Sequence, residues 1–359
     1  RTALEILAEA VHGALADAGL GLAGVDGLRA GTSQHFMPTL SVAEYLGIHP
    51  KFQDGTMVGG SSFVGHVLNA TLALEAGLCD VALICYGSNQ RTQGGRLITM
   101  SEPPVYEHIY KPRYPITAYA LATSRHMHQY GTTREQLAEV AVAARGWAQL
   151  NPEAFARDPL TIEDVVAARP ISDPLTKLDC CLVTDGGAAI VMTRADRAAD
   201  GPRPPVYFLG GAGATTHRQI SQMADITHTA ARDSGKRAFA MAGLGPGDVD
   251  VLELYDAFTI NTILFLEDLG YCEKGQGGAF VSGGAIAPEG RLPVNTNGGG
   301  LSCVHPGMYG LFTVTEAVRQ LRGDCGERQV EGAEIALAHG NGGVLSSQVT
   351  AIFGTGAAL

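Results

Sequence analysis

Three stretches in the second half of the chain gather the side chains that could do chemistry. Leu254-Tyr255-Asp256-Ala257-Phe258 ends an apolar run and enters a helical one. Residues 295–307, Asn-Thr-Asn-Gly-Gly-Gly-Leu-Ser-Cys-Val-His-Pro-Gly, form a glycine-rich loop leading into a helix. Ala338-His339-Gly340-Asn341-Gly342-Gly343 is a strand end followed by a glycine turn. A neutral histidine can exchange protons near pH 7. A tyrosine, ordinarily near pKa ~10, acts as an acid, or as a base once its pKa is lowered. Glycines allow close backbone approach and positive φ. The N–H groups at a helix start can hold an oxyanion.

Each candidate also has a plainer reading. His305 precedes Pro306 at a helix start and could cap it. His339 ends a buried strand and could be a satisfied core histidine. Tyr255 could anchor the core through its hydroxyl. Tyr309, one helical turn after His305, could line the site or pack. Asp256 could orient a backbone donor. His66 suits a structural or interface role, and Cys180-Cys181 suit buried packing. Cys303 is the one thiol inside the glycine-rich loop.

The elements that must position these residues alternate along the chain. Ala3 to Leu20 has helical spacing of Leu4, Leu7, Val11 and Leu15 and stops at Gly19. Val25–Leu28 reads as a strand, 41–46 as a short helix and 64–75 as a helix following Gly59-Gly60-Ser61-Ser62. Residues 80–86 are a continuous apolar run that suits a strand buried on both faces. Residues 91–170 differ, being richer in Tyr, Pro, His and Arg, with a helix at 133–150. They read as an inserted excursion covering a site or a partner surface. A strand at 188–192 and a linker at 202–205 follow. The second half then repeats the first. Ala242 lies 224 residues after Ala18, and Val249 lies 224 after Val25. Gly298-Gly299-Gly300 before a helix at 309–321 matches Gly59-Gly60, and the strand 335–339 matches 80–86. This predicts two similar α/β halves, 1–205 and 206–359, with parallel sheets covered by helices.

Composition removes several function classes. Lys+Arg total 25 against 36 Asp+Glu, a formal charge of −11, which argues against a nucleic-acid binder, since that would need a basic face to neutralise phosphates. No run of ~18 apolar residues could span a membrane. Seven cysteines without a CxxC pair form neither a disulfide framework nor a zinc site, which fits a reduced cytoplasmic protein. The chain starts at Arg1 and enters a helix at once, which suggests further native sequence upstream. Charged residues are only 17%, and glycines number 47, which implies tight turns and extensive buried interface.

The run ELYDAF at 253–258, followed by GGGLSxxHPG at 298–307 and the glycine-rich end near 340, resembles the thiolase superfamily over essentially the whole chain. Asp54-Gly55-Thr56-Met57-Val58-Gly59-Gly60-Ser61-Ser62 and His305-Pro306-Gly307-Met308-Tyr309-Gly310 resemble the group named lipid-transfer-protein thiolases, acetyl-CoA acetyltransferase-like proteins and steroid side-chain aldolases. The resemblance implies a five-layer αβαβα fold, a homodimer and a small zinc-ribbon/OB-fold partner that helps bind the CoA arm. It implies a coenzyme A thioester as substrate, no bound cofactor, and no metal in this chain. It puts His305 on the thioester oxygen and leaves Tyr255 and His339 to share base and acid work. Gly60, Ser61, Asp256, Gly299, Gly300 and Tyr309 would line the substrate.

The departures are informative. Thiolases carry a nucleophilic Cys at the start of the central helix of the first half; here that region is Gly60-Ser61-Ser62. They have Asn or His where Tyr255 stands, and their second Cys corresponds to His339. A serine does not readily replace that cysteine, because its ester would be a thermodynamic trap for the acyl group. The expected reaction is therefore retro-aldol cleavage of a β-hydroxyacyl-CoA, such as a steroid side chain, with no nucleophile. An acyltransferase using another nucleophile and a non-catalytic acyl-CoA-binding subunit are the alternatives.

Overall fold

The computed structural model describes residues 1–94, 106–198 and 201–359. The first half contributes strands β1 (Gly27–Ala30), β2 (Phe52–Asp54) and β3 (Val81–Ser88). A small hairpin, β4 (Pro170–Ser172) and β5 (Leu175–Thr176), precedes β6 (Gly186–Thr193). The second half contributes β7 (Tyr207–Thr215), β8 (Val251–Leu254), β9 (Ile335–Gly342) and β10 (Ser347–Gly354). Two four-stranded sheets result, with orders β2-β1-β3-β6 and β7-β10-β9-β8.

The sheets are mixed rather than parallel throughout. β1 runs parallel to β2 and β3, and β8 runs parallel to β9. β6 is antiparallel to β3, and β10 is antiparallel to both β9 and β7. Only a short turn separates β9 from β10, and a turn that short joins antiparallel neighbours. The shared part of the two halves is visible in this pattern: β1-β3-β6 and β8-β9-β10 repeat one parallel and one antiparallel pairing.

Five layers stack. Helices Ala3–Asp17 and Pro38–Leu46 cover the outside of the first sheet around Val11, Leu15, Leu28 and Leu83. Helices Ser61–Glu75 and Gly310–Arg322 lie between the sheets, packing Val64, Val67, Leu311 and Val314 against Ile84 and Ala338. Helices Ala231–Ala242 and Thr259–Asp268 cover the second sheet through Phe239 and Ile263 against Leu337 and Ile352. Alternation along β9 sorts its residues between layers. Ala336 and Ala338 face the central helices, whereas Ile335 and Leu337 face the outer ones.

The inserted region folds onto the second half. Thr133 caps helix Arg134–Gln149 in a reciprocal box with Gln136. From this region Arg145 Nε donates to Ser302 Oγ (3.0 Å), and Asn151 Nδ2 donates to the Asn297 carbonyl (2.9 Å). Residues 95–105 of the expected excursion lie outside the described residues. Among the described residues, no helix is long and apolar enough to cross a membrane.

Candidate active site

Tyr255 stands at the end of β8, where its N–H donates to the His339 carbonyl of β9 (3.0 Å). Its ring meets His305 edge-on (centroids 5.6 Å, 87°) and Tyr309 edge-on (5.6 Å, 83°). The His305 and Tyr309 rings are nearly parallel at 6.2 Å. The Tyr255 hydroxyl donates to the Gly307 carbonyl (3.2 Å) and accepts from the Tyr309 N–H (3.3 Å), both long bonds. Among the described residues neither ring nitrogen of His305 has a hydrogen-bond partner, although the side chain is buried. Buried polar atoms are almost always paired, so this pair of nitrogens is suited to meeting a ligand.

The glycine-rich loop is held by the strand end beside it. Asp256 accepts from the Gly300 N–H (2.6 Å) and the Leu301 N–H (3.3 Å) at the start of a single π-helical turn, Gly299–Cys303. Gly298 and Gly299 adopt φ of 101° and 64°, values that other residues reach only with strain. A Cβ on Gly299 would also collide with the Asp256 carboxylate. Asn297 completes the corner by accepting from the Tyr309 hydroxyl (3.0 Å) and the Gly299 N–H (2.7 Å).

The first half fixes the other side of the loop. Tyr86 at β3 donates to the Pro306 carbonyl (2.6 Å), Gln90 Nε2 donates to the His305 carbonyl (2.6 Å), and Thr184 Oγ1 accepts from the His305 N–H (3.0 Å). Gly60 begins helix Ser61–Glu75 directly against the Tyr255 ring, and a Cβ there would fall inside it. A Cβ on Gly310 would strike the Gly60 carbonyl, so the two central helices begin in contact. Ser61 Oγ pairs with Ser347 Oγ (3.0 Å), and Ser62 Oγ accepts from the Val58 N–H (2.9 Å). Neither serine reaches a base that could activate it.

Burial sets the protonation states. It holds the Tyr255 and Tyr309 hydroxyls well above the usual tyrosine value, so both are neutral phenols. It lowers His305 to about 4, leaving a neutral imidazole at pH 7. It raises the Asp256 carboxyl to about 7 against the opposing backbone hydrogen bonds. The Cys85 and Cys303 thiols are pushed up to about 12, also by burial, which removes their thiolate character.

His339 lies elsewhere. Its odd-numbered place on β9 turns the side chain to the outer layer, against Phe265 (4.6 Å). Both nitrogens are engaged, Nδ1 by Thr350 Oγ1 and Nε2 by Gln348 Oε1, each at 2.9 Å. The expectation that His339 joins Tyr255 in proton transfer is therefore replaced by a buried, paired histidine. Of the remaining expected residues, Gly60, Tyr255, Asp256, Gly299, Gly300, His305 and Tyr309 come together. Ser61 adjoins them with its hydroxyl turned to Ser347.

Sequence reasoning missed Tyr86, Gln90 and Thr184, whose side chains act on backbone from the other half and carry no local signal. A groove of about 1230 Å³ runs along β6 and reaches the back of the loop at Asn297 and Cys303, rather than Tyr255.

A duplicated five-layer fold with one glycine-rich site at the junction of its halves defines a thiolase-type enzyme. Residues 212–355 match the family described as Thiolase C-terminal domain-like. The chain is 35% identical to an acetyl-CoA acetyltransferase of Methanothermobacter thermautotrophicus over 97% of its length and 94% of that protein. It is 36% identical to a steroid side-chain-cleaving aldolase of Thermomonospora curvata over 90% of its length and 86% of that protein. The solved structure of an Ltp2-ChsH2(DUF35) aldolase superposes with a TM-score of 0.90 at 33% identity, covering 99% of this chain and 93% of that one. The chain belongs to the thiolase superfamily, in its lipid-transfer group, and is an enzyme acting on acyl-CoA thioesters.

Proposed function

We propose that this protein cleaves a β-hydroxyacyl-CoA by a retro-aldol reaction without a covalent intermediate. The observation that carries the reading is Gly60. At the helix start where thiolases keep their nucleophile, Tyr255 occupies the space any side chain would need. The neutral His305 accepts the β-hydroxyl proton as the Cα–Cβ bond breaks. The bond's electron pair moves to the thioester as an enolate, and a ketone or aldehyde leaves. Tyr255, a neutral phenol, supplies a proton to Cα, and His305 returns its proton to Tyr255. One proton thus moves from oxygen to Cα, and no oxidant or nucleophile is consumed. This gives His305 the base role and Tyr255 the acid role, because burial disfavours the charged forms and so leaves a phenol with a proton to give and an imidazole with a free nitrogen to accept one.

The likeness to the Thermomonospora aldolase supports a steroid side chain as the acyl group. The likeness to the Ltp2-ChsH2(DUF35) aldolase supports a second subunit; its zinc-ribbon/OB-fold type and a homodimer of this chain are our reading. The test is incubation with β-hydroxyacyl-CoAs, with and without such a partner, following the released carbonyl compound and the shortened acyl-CoA. Mass spectrometry of the chain is expected to show no acyl adduct. A stable adduct that turns over with free CoA would replace this reading with the acyltransferase one.

A further inference from the structure

A second phenol lies close to the site on helix Ile116–Tyr130 of the inserted region. Tyr119 stacks on Phe258 (4.3 Å, 27°), three residues beyond Tyr255. Asn341 Nδ2 donates to its hydroxyl oxygen (2.8 Å). Gln348 Nε2 donates in turn to Asn341 Oδ1 (2.8 Å), and Gln348 Oε1 faces His339 Nε2 (2.9 Å). An amide oxygen only accepts, so His339 carries its hydrogen on Nε2 and accepts from Thr350 Oγ1 at Nδ1. Every hydrogen in this buried row therefore points one way, from Thr350 towards Tyr119.

The row ends in a hydroxyl whose oxygen is already taken by Asn341. Among the described residues its own hydrogen reaches the Gly343 carbonyl, at 3.4 Å, a separation at the weak limit. The turn bearing that carbonyl packs on Gly59, next to Gly60 beneath Tyr255. Among the described residues, Asn261, fully buried on helix Thr259–Asp268, has neither amide atom hydrogen-bonded. Burial pushes the Tyr119 phenol up to about 12, opposed in part by Asn341, the Leu345 backbone and the Asn261 amide beside it. A weakly held donor beside an unpaired buried amide is an arrangement completed by a polar ligand.

We infer that Tyr119 donates its hydroxyl hydrogen to an oxygen of the bound acyl thioester, with His339 acting as a remote positioning residue through Gln348 and Asn341. The inference rests on the acyl-thioester reading above, but not on cleavage. The acceptor is either the thioester oxygen or the β-oxygen of the substrate.

The experiment compares wild type, Tyr119→Phe, Asn341→Asp, His339→Ala and the Tyr119→Phe/His339→Ala double variant in the full chain, with the partner subunit if cleavage requires it. Calorimetry measures binding of a β-hydroxyacyl-CoA and of the saturated acyl-CoA of equal length, and cleavage gives kcat/KM. Tyr119→Phe keeps the ring stack and is expected to weaken binding about tenfold. Asn341→Asp, which turns the hydroxyl hydrogen towards the new carboxylate, should act alike and covers the case in which Tyr119→Phe fails to fold. Loss on both ligands assigns the thioester oxygen, and loss on the hydroxylated ligand alone assigns the β-oxygen. In the Tyr119→Phe background, His339→Ala should add no further loss. Unchanged binding and kcat/KM in Tyr119→Phe or Asn341→Asp overturns the role of Tyr119, and additive losses overturn that of His339. If wild type binds these ligands and cleaves none, the retro-aldol proposal fails while the binding comparison still decides Tyr119.

Discussion

Replacing Gly60 with alanine tests the architecture of the site more directly than removing a reactive group. Gly60 has φ −62° and ψ −28°, ordinary helical values, so alanine brings no backbone strain. In an open position the change would stabilise by roughly 0.4–1 kcal/mol through the unfolded chain. Here the new Cβ falls on the Cε2, Cζ and Cδ2 atoms of Tyr255. The ring would have to move about 1–2 Å to reach ordinary contact. It is pinned by the Gly307 carbonyl, the Tyr309 N–H and the His305 edge. Overpacking of this kind costs about 1–3 kcal/mol, which for a chain of this length lowers Tm by roughly 1–4 °C. A displacement of about 1 Å in a catalytic phenol is expected to lower kcat/KM about 100-fold. The assay is thermal unfolding plus cleavage kinetics for Gly60→Ala in two backgrounds, wild type and Tyr255→Ala. In the second background the cavity left by the ring should accept the methyl, and the stability cost should vanish. Equal costs in both backgrounds, or an unchanged Gly60→Ala enzyme, would refute the idea that Tyr255 occupies the nucleophile's place.

Four further outcomes are expected. Tyr255→Phe keeps the ring and its contacts but should lower kcat about 100- to 1000-fold with little change in Tm, measured by single-turnover cleavage. The pH profile of kcat should fall as pH drops through about 4, where His305 takes up a proton. The buried histidines should make stability fall earlier, as pH drops from about 6.5 to about 4, against an opposite contribution from Asp256, whose raised carboxyl takes up its proton near 7. Over that range unfolded histidine binds protons, while burial keeps His66, His305 and His339 neutral; each is worth up to about 3 kcal/mol in urea titrations at stepped pH. Arg328→Met strands the buried Glu316 carboxylate, which Arg328 Nε holds at 2.8 Å, and should cost about 3–5 kcal/mol by urea denaturation.

Much of the fold was legible because its signals are periodic. The apolar run at 80–86, the helical spacing at 3–20 and the 224-residue repeat each correspond to an element, with ends shifted by a few residues. Strand direction was not legible at β6 and β10, since a buried apolar run looks alike whichever way it pairs. His305 stood out because a reactive side chain among glycines is visible locally, and Tyr255 because it ends an apolar run beside an acidic residue. His339 misled for a physical reason: its residue type carries chemistry, but strand parity decides which layer it enters. Tyr119 had no signal at all, because its partners Asn341 and Phe258 come from segments more than a hundred residues away.

The contact between Gly60 and Gly310 has an electrostatic consequence. The central helices, Ser61–Glu75 and Gly310–Arg322, bring their amino ends together there, one from each half of the duplication. Each end carries the equivalent of about half a positive charge on unpaired N–H groups. Two such ends side by side create a potential that favours an anion. An enolate forming beside Tyr255 would develop its charge within that field. Doubling an ancestral helix–strand unit about one axis would thus have produced, from backbone alone, a field that neither half has by itself.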